Sequence, residues 1–411
     1  MFFGALGPEF KKLWASRTLS NLGDGMTLVA GPLLAASLIR DPLLIAGLAF
    51  AQRLPWLLFA LVSGALVDRL DRKLLMAAVD FFRSAAVGFL GISVLLDFAS
   101  LPLMYVVFFL VGTTETLFDT ASVSVLPAVV REEDLAKANG RLYSAQIVAN
   151  NMVGPSLGGL LFASAAALPF LLDAGTFAAA AALILTLRGG FRARSAGSSE
   201  GIRATTMRSE IAEGLSWLWC HRFLRALAFT IGIMNLTFGA VFAVWVLFAQ
   251  ERLGLGPAGY GVLAASIPIG GVLGGLVAER VSGILGPGNT LKAGLLVEVV
   301  THLVLASTTS PVVAAMILAL FGFHAIVWGT VSASLRQELI PDSLMGRVNS
   351  AYLFFDAGSA ALGALLGGLL ANTLGLTAPF WFAAVCVAAL LVVMRRALGE
   401  RAIEEARGEG V

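Results

Sequence analysis

The chain has 411 residues; 58% are hydrophobic, 13% are charged, and the net charge at pH 7 is +2. Its mean hydropathy of +0.87 excludes an ordinary water-soluble domain, because so much apolar surface requires lipid as its solvent. The nearly balanced charge argues against nucleic acid as a partner. The two cysteines, Cys220 and Cys386, lie far apart, which argues against a disulfide framework or a cysteine metal site. We expect neither a cofactor nor a metal ion.

Apolar runs long enough to cross a membrane recur along the whole chain. A membrane-spanning helix needs roughly 20 apolar residues, and runs of this length alternate with short connectors that carry turn residues or charges. We therefore predict an all-α membrane protein with twelve spans, numbered in chain order, at about 14–38, 43–67, 74–96, 101–125, 141–163, 167–187, 224–249, 258–279, 290–309, 311–333, 346–370 and 376–398.

The second half of the chain repeats the first. GALVDR at 64–69 matches GLVAER at 275–280, and GGLLFASAAALPF at 158–170 matches GGLLANTLGLTAPF at 367–380 with one inserted residue. Because an even number of spans separates equivalent segments, the halves run in the same direction. They are predicted to be parallel six-helix repeats with the substrate site between them.

The long connector between the halves contains TTMRSEIAEGLSWLWCHRF at 205–223. This pattern favours a helix with Trp and Leu on one face and charges on the other, although a plain tether is equally compatible with it. Lys and Arg concentrate at both termini and in the even-numbered connectors, which predicts that these face the cytoplasm. The predicted parts are an N-terminal six-helix bundle at 1–188, a cytoplasmic linker with an amphipathic helix at 189–222, a C-terminal six-helix bundle at 223–398 and a cytoplasmic tail at 399–411.

One turn, between spans 2 and 3, is dense in charge. The stretch SGALVDRLDRKLLM at 63–76 places Asp68, Arg69, Asp71, Arg72 and Lys73 between two apolar runs. Asp68 follows the C-terminal end of span 2, which is an unfavourable position for an anion unless another helix presents its N-terminus there. Charge that only sets the membrane topology is the competing interpretation.

Twelve spans, parallel halves and this charged turn together resemble the major facilitator superfamily. The resemblance implies that the turn is a cytoplasmic gate, whose ion pairs and helix-end contacts hold one state of an alternating-access carrier and are lost in the other. Val67 and Asp71 stand where a small residue and a glycine are usual, and Asp119 on span 4 is a candidate partner for the arginines. The turn is similar to the superfamily's motif A at Gly64, Leu66, Asp68, Arg69, Arg72 and Lys73.

Span 5 carries a second motif, GPSLGG at 154–159. It resembles the core of motif C, which is associated with the exporting, proton-antiporting branches, although Asn150 stands where a glycine is often found. Gly-xxx-Gly spacing here and on spans 8 and 11 favours close helix packing, and the resemblance places spans 5, 8 and 11 at the interface between the halves. The motif residues are Gly154, Pro155, Gly158 and Gly159.

The resemblance extends over nearly the whole chain, to the bacterial secretion-effector branch that is similar to enterobactin exporters and macrolide efflux pumps. It implies a monomeric inner-membrane carrier, in contact with membrane lipid, that exports a lipophilic or amphipathic small molecule, such as a drug or a siderophore, in exchange for protons. The segments that carry it are NLGDG (21–25), RLPWLLFALVSGALVDRLDRK (53–73), GTTETLFDTASVSVLP (112–127), LAKANG (135–140) and GRVNSAY (346–352).

Two alternatives stay open at this point. The first is an importer or a lysophospholipid transporter of the same fold, and the second is a non-transporting membrane sensor or enzyme. Two enzyme-like patterns, GPSLG at 154–158 and GLGPAG at 254–259, lack the strands that a hydrolase elbow or a dinucleotide site requires. We therefore predict that the protein is not an enzyme.

Charged side chains within membrane spans are costly, so they favour a cavity or a partner. Asp24 is the first candidate for proton coupling, because the resemblance implies that span 1 lines the cavity and because two glycines flank it. A fixed structural ion pair is the alternative, and for Glu298 and His302 on span 9 it is the favoured one. Span 4 has no arginine in its apolar part, where motif B places one. The proton-coupling candidates are Asp24, Arg53, Arg83, Glu115 and Asp356.

Aromatic and amide side chains within the spans are candidates for the substrate cavity. Packing against other helices or against lipid is the competing interpretation for each. The candidates are Asn21, Gln146, Asn150, Asn235, Phe238, Trp245, Trp328 and Phe355.

Overall fold

The computed structural model describes residues 6–67, 70–189 and 216–408, and within these ranges it contains helices and turns but no strand. The all-α fold predicted from the sequence is confirmed, and a helix or a series of helical segments coincides with each predicted span. Spans 1–4 and 6 are the helices Gly7–Leu38, Pro42–Val67, Arg72–Leu95, Leu101–Val129 and Leu168–Leu185.

Span 5 is interrupted. It consists of the α-helix Leu135–Gln146, a π-helical stretch Ile147–Val153 and the α-helix Gly154–Ser164. Pro155 near the start of the last segment has no N–H for the preceding turn, so the regular hydrogen-bond pattern cannot continue through it. The π-helical stretch therefore falls directly before the GPSLGG motif.

The second half follows the same plan. Span 7 is Arg222–Ala243, Trp245–Leu247 and a π-helical end Phe248–Arg252, and span 8 is Pro257–Ala264 followed by Ser266–Leu285. Spans 9–12 are Pro287–Ser307, Pro311–Leu339, Asp342–Leu374 and Ala378–Met394, and a short helix, Glu400–Gly408, follows them. Among the described residues, eight helices are long and apolar enough to cross a membrane.

The chain forms two compact units. The start of span 8 belongs to unit 1, and the start of span 2 belongs to unit 2. The predicted linker helix lies mostly outside the described residues, and the part of it that the structure describes begins at 216. The predicted division of the chain into two bundles, a linker and a tail therefore stays a prediction. Unit 1 is Met1–Arg40, Gly47–Ser199 and Gly254–Ala265, and unit 2 is Asp41–Ala46, Glu200–Leu253 and Ser266–Val411.

Glycines set how closely the helices of unit 1 approach one another. A Cβ atom on Gly25 of span 1 would collide with the backbone carbonyl of Asn150 in span 5, and one on Gly23 would collide with the Asp173 side chain of span 6. Spans 5 and 6 therefore reach the backbone of span 1 on both sides of Asp24. In unit 2, Gly363 and Gly367 of span 11 lie against the backbone of span 7 in the same way.

Candidate functional site

Arg83 on span 3 lies at the centre of unit 1. Its side chain is only 1% exposed, Nε donates to Thr114 Oγ1 at 3.2 Å, and Nη1 is 3.8 Å from Asp80 Oδ1. The rings of Phe118 and Phe177 lie on the guanidinium at 5.4 and 5.3 Å from their centroids. Cation–π and charge-assisted contacts from spans 3, 4 and 6 thus hold a permanent cation in the middle of the bundle.

Acidic side chains from several spans surround this cation. The Arg83 guanidinium interacts electrostatically with the carboxyl groups of Asp24 on span 1 and Glu115 on span 4. Asp80 and Asp119 interact with it in the same way. The indole of Trp56 is in hydrogen-bonding reach of the Glu115 carboxylate. The predicted candidates Asp24, Glu115 and Arg83 therefore lie in one cluster, named here the Arg83 cluster. It comprises Arg17, Asp24, Asp80, Arg83, Glu115, Asp119 and Asp173.

Asp173 on span 6 is a member that the sequence interpretation missed. It is 1% exposed, and the hydroxyl groups of Thr27 and Thr176 donate to its carboxylate. Its position in the otherwise apolar run LPFLLDAGTF is the same signal that identified Asp24. The Arg83 cluster thus holds five carboxyl groups against two guanidinium groups.

Arg17 on span 1 was also missed. Its Nη2 is 3.3 Å from Asp119 Oδ1, and its Nη1 donates to Ser122 Oγ at 2.7 Å. The acid predicted to pair with the arginines of the charged turn therefore pairs with span 1 in this structure. Arg53 on span 2 is exposed, and its guanidinium interacts electrostatically with the Glu115 carboxyl group. Asp356, the remaining predicted coupling residue, is exposed in unit 2.

The charged turn between spans 2 and 3 is described only in part, because Asp68 and Arg69 lie outside the described residues and Gly64 lies within the helix that ends at Val67. Asp71 is the N-cap of span 3, and its carboxylate accepts a hydrogen bond from the Leu74 N–H at 3.1 Å. This explains why an aspartate stands where motif A usually has glycine. Arg72 Nη1 donates to the Ser124 carbonyl at 3.2 Å, and Lys73 Nζ donates to the Leu187 carbonyl at 2.8 Å.

The same end of span 6 also binds the start of the chain. Lys12 Nζ donates to the Thr186 carbonyl and to Glu9 Oε1, each at 2.9 Å. The Arg188 N–H donates to Glu9 Oε2 at 2.7 Å. The hydrogen bond from Lys12, and secondly that from Arg188, lower the pKa of Glu9, which precedes the apolar part of span 1.

The motif-C-like residues of span 5 contact two other helices within unit 1. Gly154 lies against Gly25, and Gly158 lies against the backbone of Met26, both on span 1. Gly159 lies against Pro257 and Gly261 at the start of span 8. Pro155 is buried directly after the π-helical stretch, and its carbonyl oxygen faces Gly261. A methyl group at any of these glycines would meet backbone atoms, which cannot move aside as a flexible side chain does.

Unit 2 has a buried polar cluster of a different kind, formed by Glu298, His302 and His324, which we name the Glu298 cluster. Glu298 Oε1 is 3.7 Å from His302 Nε2, and Glu298 Oε2 is 3.9 Å from His324 Nε2. The three side chains are at most 5% exposed. Among the described residues, no Lys or Arg pairs with Glu298, and no set of His, Cys, Asp and Glu has the geometry of a metal site.

The tautomer of His324 determines what the Glu298 cluster can do. His324 Nδ1 is 2.7 Å from the Phe321 carbonyl oxygen, and a carbonyl can only accept, so Nδ1 carries a proton. Without a second proton, His324 Nε2 and Glu298 Oε2 face each other as two acceptors. A proton on His324 Nε2 would make the two atoms a donor and an acceptor.

The predicted cavity residues of unit 2 fall into two groups. Phe238 is half-buried and stacks on Phe242 and Phe321, with 5.6 Å between ring centroids in each pair. The ring of Phe321 in turn contacts that of His324 at 5.1 Å, so an aromatic row leads from span 7 to the Glu298 cluster.

The other aromatic candidates of unit 2 are packed. Trp245 and Trp328 are 4% and 5% exposed in the core, and Phe355 contacts Phe229 at 6.5 Å. Asn235 Nδ2 donates to the Ile231 carbonyl at 3.0 Å. In unit 1, Asn21, Gln146 and Asn150 are half-buried.

Nearly the whole chain is similar to known membrane proteins. Residues 6–407 match the family model described as transmembrane secretion effector. The chain is 26% identical over 393 residues to the multidrug efflux pump Tap of Mycolicibacterium fortuitum, covering 91% of both chains. It is 24% identical over 367 residues to the enterobactin exporter EntS of Shigella boydii serotype 4 (strain Sb227), covering 88% and 85%. A crystal structure of a mutant of the nucleoside transporter NupG aligns with a TM-score of 0.79 at 9% identity, covering 95% of this chain and 100% of that one.

Proposed function

The chain belongs to the transmembrane secretion effector family of the major facilitator superfamily, and from this premise we propose that it exports a lipophilic or amphipathic small molecule by proton antiport. It is a multi-pass membrane transporter, and the family supports a transporter rather than an enzyme. The multidrug efflux pump and the enterobactin exporter that it resembles favour a drug or a secreted metabolite such as a siderophore as the substrate. The proposal places the protein in the bacterial inner membrane with both termini in the cytoplasm.

The excess of acid over base in the Arg83 cluster is the observation that carries the proposal. Its five carboxyl groups and two guanidinium groups leave three negative charges when all are ionised (2 − 5 = −3). When Arg53 is counted as a further cation, two negative charges remain. A charge of this size inside a membrane is costly, so the cluster approaches neutrality by binding protons. Opening the cluster to water on one side of the membrane favours release of those protons.

Asp24 is the acid that we propose to couple protons to substrate. It lies between Gly23 and Gly25, where spans 6 and 5 approach span 1 closely, and it interacts with Arg83 and with Asp173. A small change in the helix contacts at these glycines alters the distance from Asp24 to both neighbours. Helix movement and proton affinity are thereby linked at one position.

The substrate is proposed to contact the aromatic row of unit 2. Stacked rings of Phe238, Phe242 and Phe321 offer flat apolar faces to a lipophilic molecule. Asn235, three residues before Phe238 on span 7, supplies an amide for orientation. The gate role of Asp68, Arg69, Arg72 and Lys73 is part of the proposal, supported by the contacts of Arg72 and Lys73 with neighbouring spans of unit 1.

The test is efflux of ethidium and of a panel of lipophilic drugs from cells that make the wild type, Asp24→Asn or Asp97→Asn. Asp97 is an exposed turn residue with φ of 56°, a conformation that asparagine also adopts, so it controls for loss of one carboxylate. We expect wild type and Asp97→Asn to lower accumulation and Asp24→Asn to fail at equal membrane abundance. A protonophore should abolish efflux, and efflux that survives it contradicts the antiport.

A further inference from the structure

A cavity of about 570 Å³ lies in unit 2 at the ends of its spans. Five basic side chains from four separate segments line it: Arg222, Lys292, Arg395, Arg396 and Arg401. They come from the start of span 7, the second turn of span 9, the residues directly after span 12, and the C-terminal helix. Two acids, Glu400 and Glu405, share the lining, so the cavity carries a net charge of +3 (5 − 2 = +3).

Within the described residues, no ion pair shorter than 4.0 Å joins these five cations to an acid. Glu400 Oε1 accepts the N–H groups of Gly288 and Asn289, at 2.8 and 3.3 Å, and so caps the start of span 9. Glu405 forms no ion pair within 4.0 Å in the described part of the chain. By contrast, Arg407 on the same short helix binds both oxygens of Glu338, at 2.8 and 3.0 Å.

Membrane topology alone does not account for this arrangement. A topological signal requires Lys and Arg on one side of the membrane, but it does not require that four segments direct them into one cavity. Guanidinium groups that line one cavity suit a phosphate group, whose oxygens accept paired hydrogen bonds from each. The position, level with the helix ends, is the depth at which lipid headgroups lie.

We propose that this cavity binds the phosphate headgroup of an anionic phospholipid. The bound phosphate bridges the C-terminal helix, through Arg401, to the bundle, through Lys292 and the residues after span 12. It thereby offsets the mutual repulsion of five like charges. The site is independent of what the carrier transports.

The test uses the purified full-length protein in a neutral detergent. Phosphatidylglycerol, phosphatidylcholine or inorganic phosphate is added, and the unfolding temperature and the retained lipids, counted by native mass spectrometry, are measured. The variant is Arg395→Gln/Arg396→Gln/Arg401→Gln. The matched control, Arg131→Gln/Lys137→Gln/Arg188→Gln, removes three charges from exposed positions of unit 1.

We expect phosphatidylglycerol to stabilise the wild type and the control more than phosphatidylcholine does, with about tenfold weaker binding in the triple variant, since charge-assisted contacts are lost. Equal effects of the two lipids, or undiminished binding by the variant, overturn the proposal. A full effect of inorganic phosphate alone assigns the site to a soluble anion and overturns the lipid. Should the triple variant not fold, Lys292→Gln decides the question by the same criteria.

Discussion

Each unit contains a polar cluster among apolar helices, but the two clusters are built from different ionisable groups. The Arg83 cluster of unit 1 is organised by guanidinium groups, which do not lose their protons in proteins. The Glu298 cluster of unit 2 has no such fixed cation among the described residues, and it combines one carboxyl group with two imidazoles. The Arg83 cluster is therefore built around a permanent positive centre, whereas the Glu298 cluster is built around an acid.

The largest expected effect comes from removing the permanent centre. Arg83→Gln leaves Asp80 and the other acids without their buried counter-charge, so we expect a loss of about 3–5 kcal/mol in the free energy of unfolding, together with loss of transport. Titration with a denaturing detergent in mixed micelles measures the stability. Arg53→Gln removes an exposed cation and should cost less than about 1 kcal/mol. Equal losses in both variants would remove the distinction between a central and a peripheral arginine.

A helix end of unit 1 provides the next test. Asp71→Ala removes the cap of span 3, and we expect a loss of about 1 kcal/mol, because one N–H group at the helix start loses its acceptor. Asp71→Asn keeps an acceptor at this position and should stay within a few tenths of a kcal/mol of the wild type. The same detergent titration compares the two, and an alanine variant as stable as the asparagine variant is incompatible with a capping role.

Neutralising the single acid of the Glu298 cluster should be better tolerated than Arg83→Gln. Glu298→Gln keeps the shape of the side chain, and both histidines are able to become neutral beside it, so no buried charge is left without a partner. We expect a change within about 1 kcal/mol in the free energy of unfolding. A loss as large as that of Arg83→Gln would mean that the Glu298 cluster holds a fixed imidazolium–carboxylate pair and that the units do not differ as described.

The smallest effect concerns pH at the start of the chain. Because the pKa of Glu9 is lowered in the folded protein, its hydrogen bonds with Lys12 and Arg188 stabilise unit 1 above the unfolded pKa. That contribution is lost as the pH falls through the lowered folded value. Glu9→Gln should remove a few tenths of a kcal/mol of acid sensitivity, a small amount because solvent screens the pair. Thermal unfolding at neutral and acidic pH checks this, and identical pH dependence in both proteins would count against it.

Hydropathy predicted the spans well because the membrane imposes one requirement, a long apolar helix, that each segment meets separately. Pro155 is a sequence signal for an irregularity in span 5, but the π-helical stretches of spans 5 and 7 were not predicted, because such stretches leave no pattern in an apolar run. Glycine spacing indicated close packing, but it did not indicate that Gly154 and Gly158 face span 1.

The sequence allowed several individual site residues to be predicted, but not which of them contact one another. Asp24, Arg83 and Glu115 stand out because charge is rare in lipid, and the same rule applies to Asp173, which was missed. The partner of Asp119 was not predictable, because Arg17 lies near the charged start of span 1, where topology alone accounts for a cation. Which side chains meet depends on how each helix is rotated, and a uniformly apolar helix carries little signal of its rotation.

The cap on span 9 has a consequence for the order in which the protein is assembled. The N–H groups of Gly288 and Asn289 obtain their acceptor from Glu400, which follows 112 and 111 residues later in the chain. During synthesis, span 9 is therefore made while these two N–H groups still lack Glu400 as their acceptor. Three further spans are made before Glu400. Unit 2 therefore gains this contact only after Glu400 has been synthesised, and a chain shortened before Glu400 lacks it.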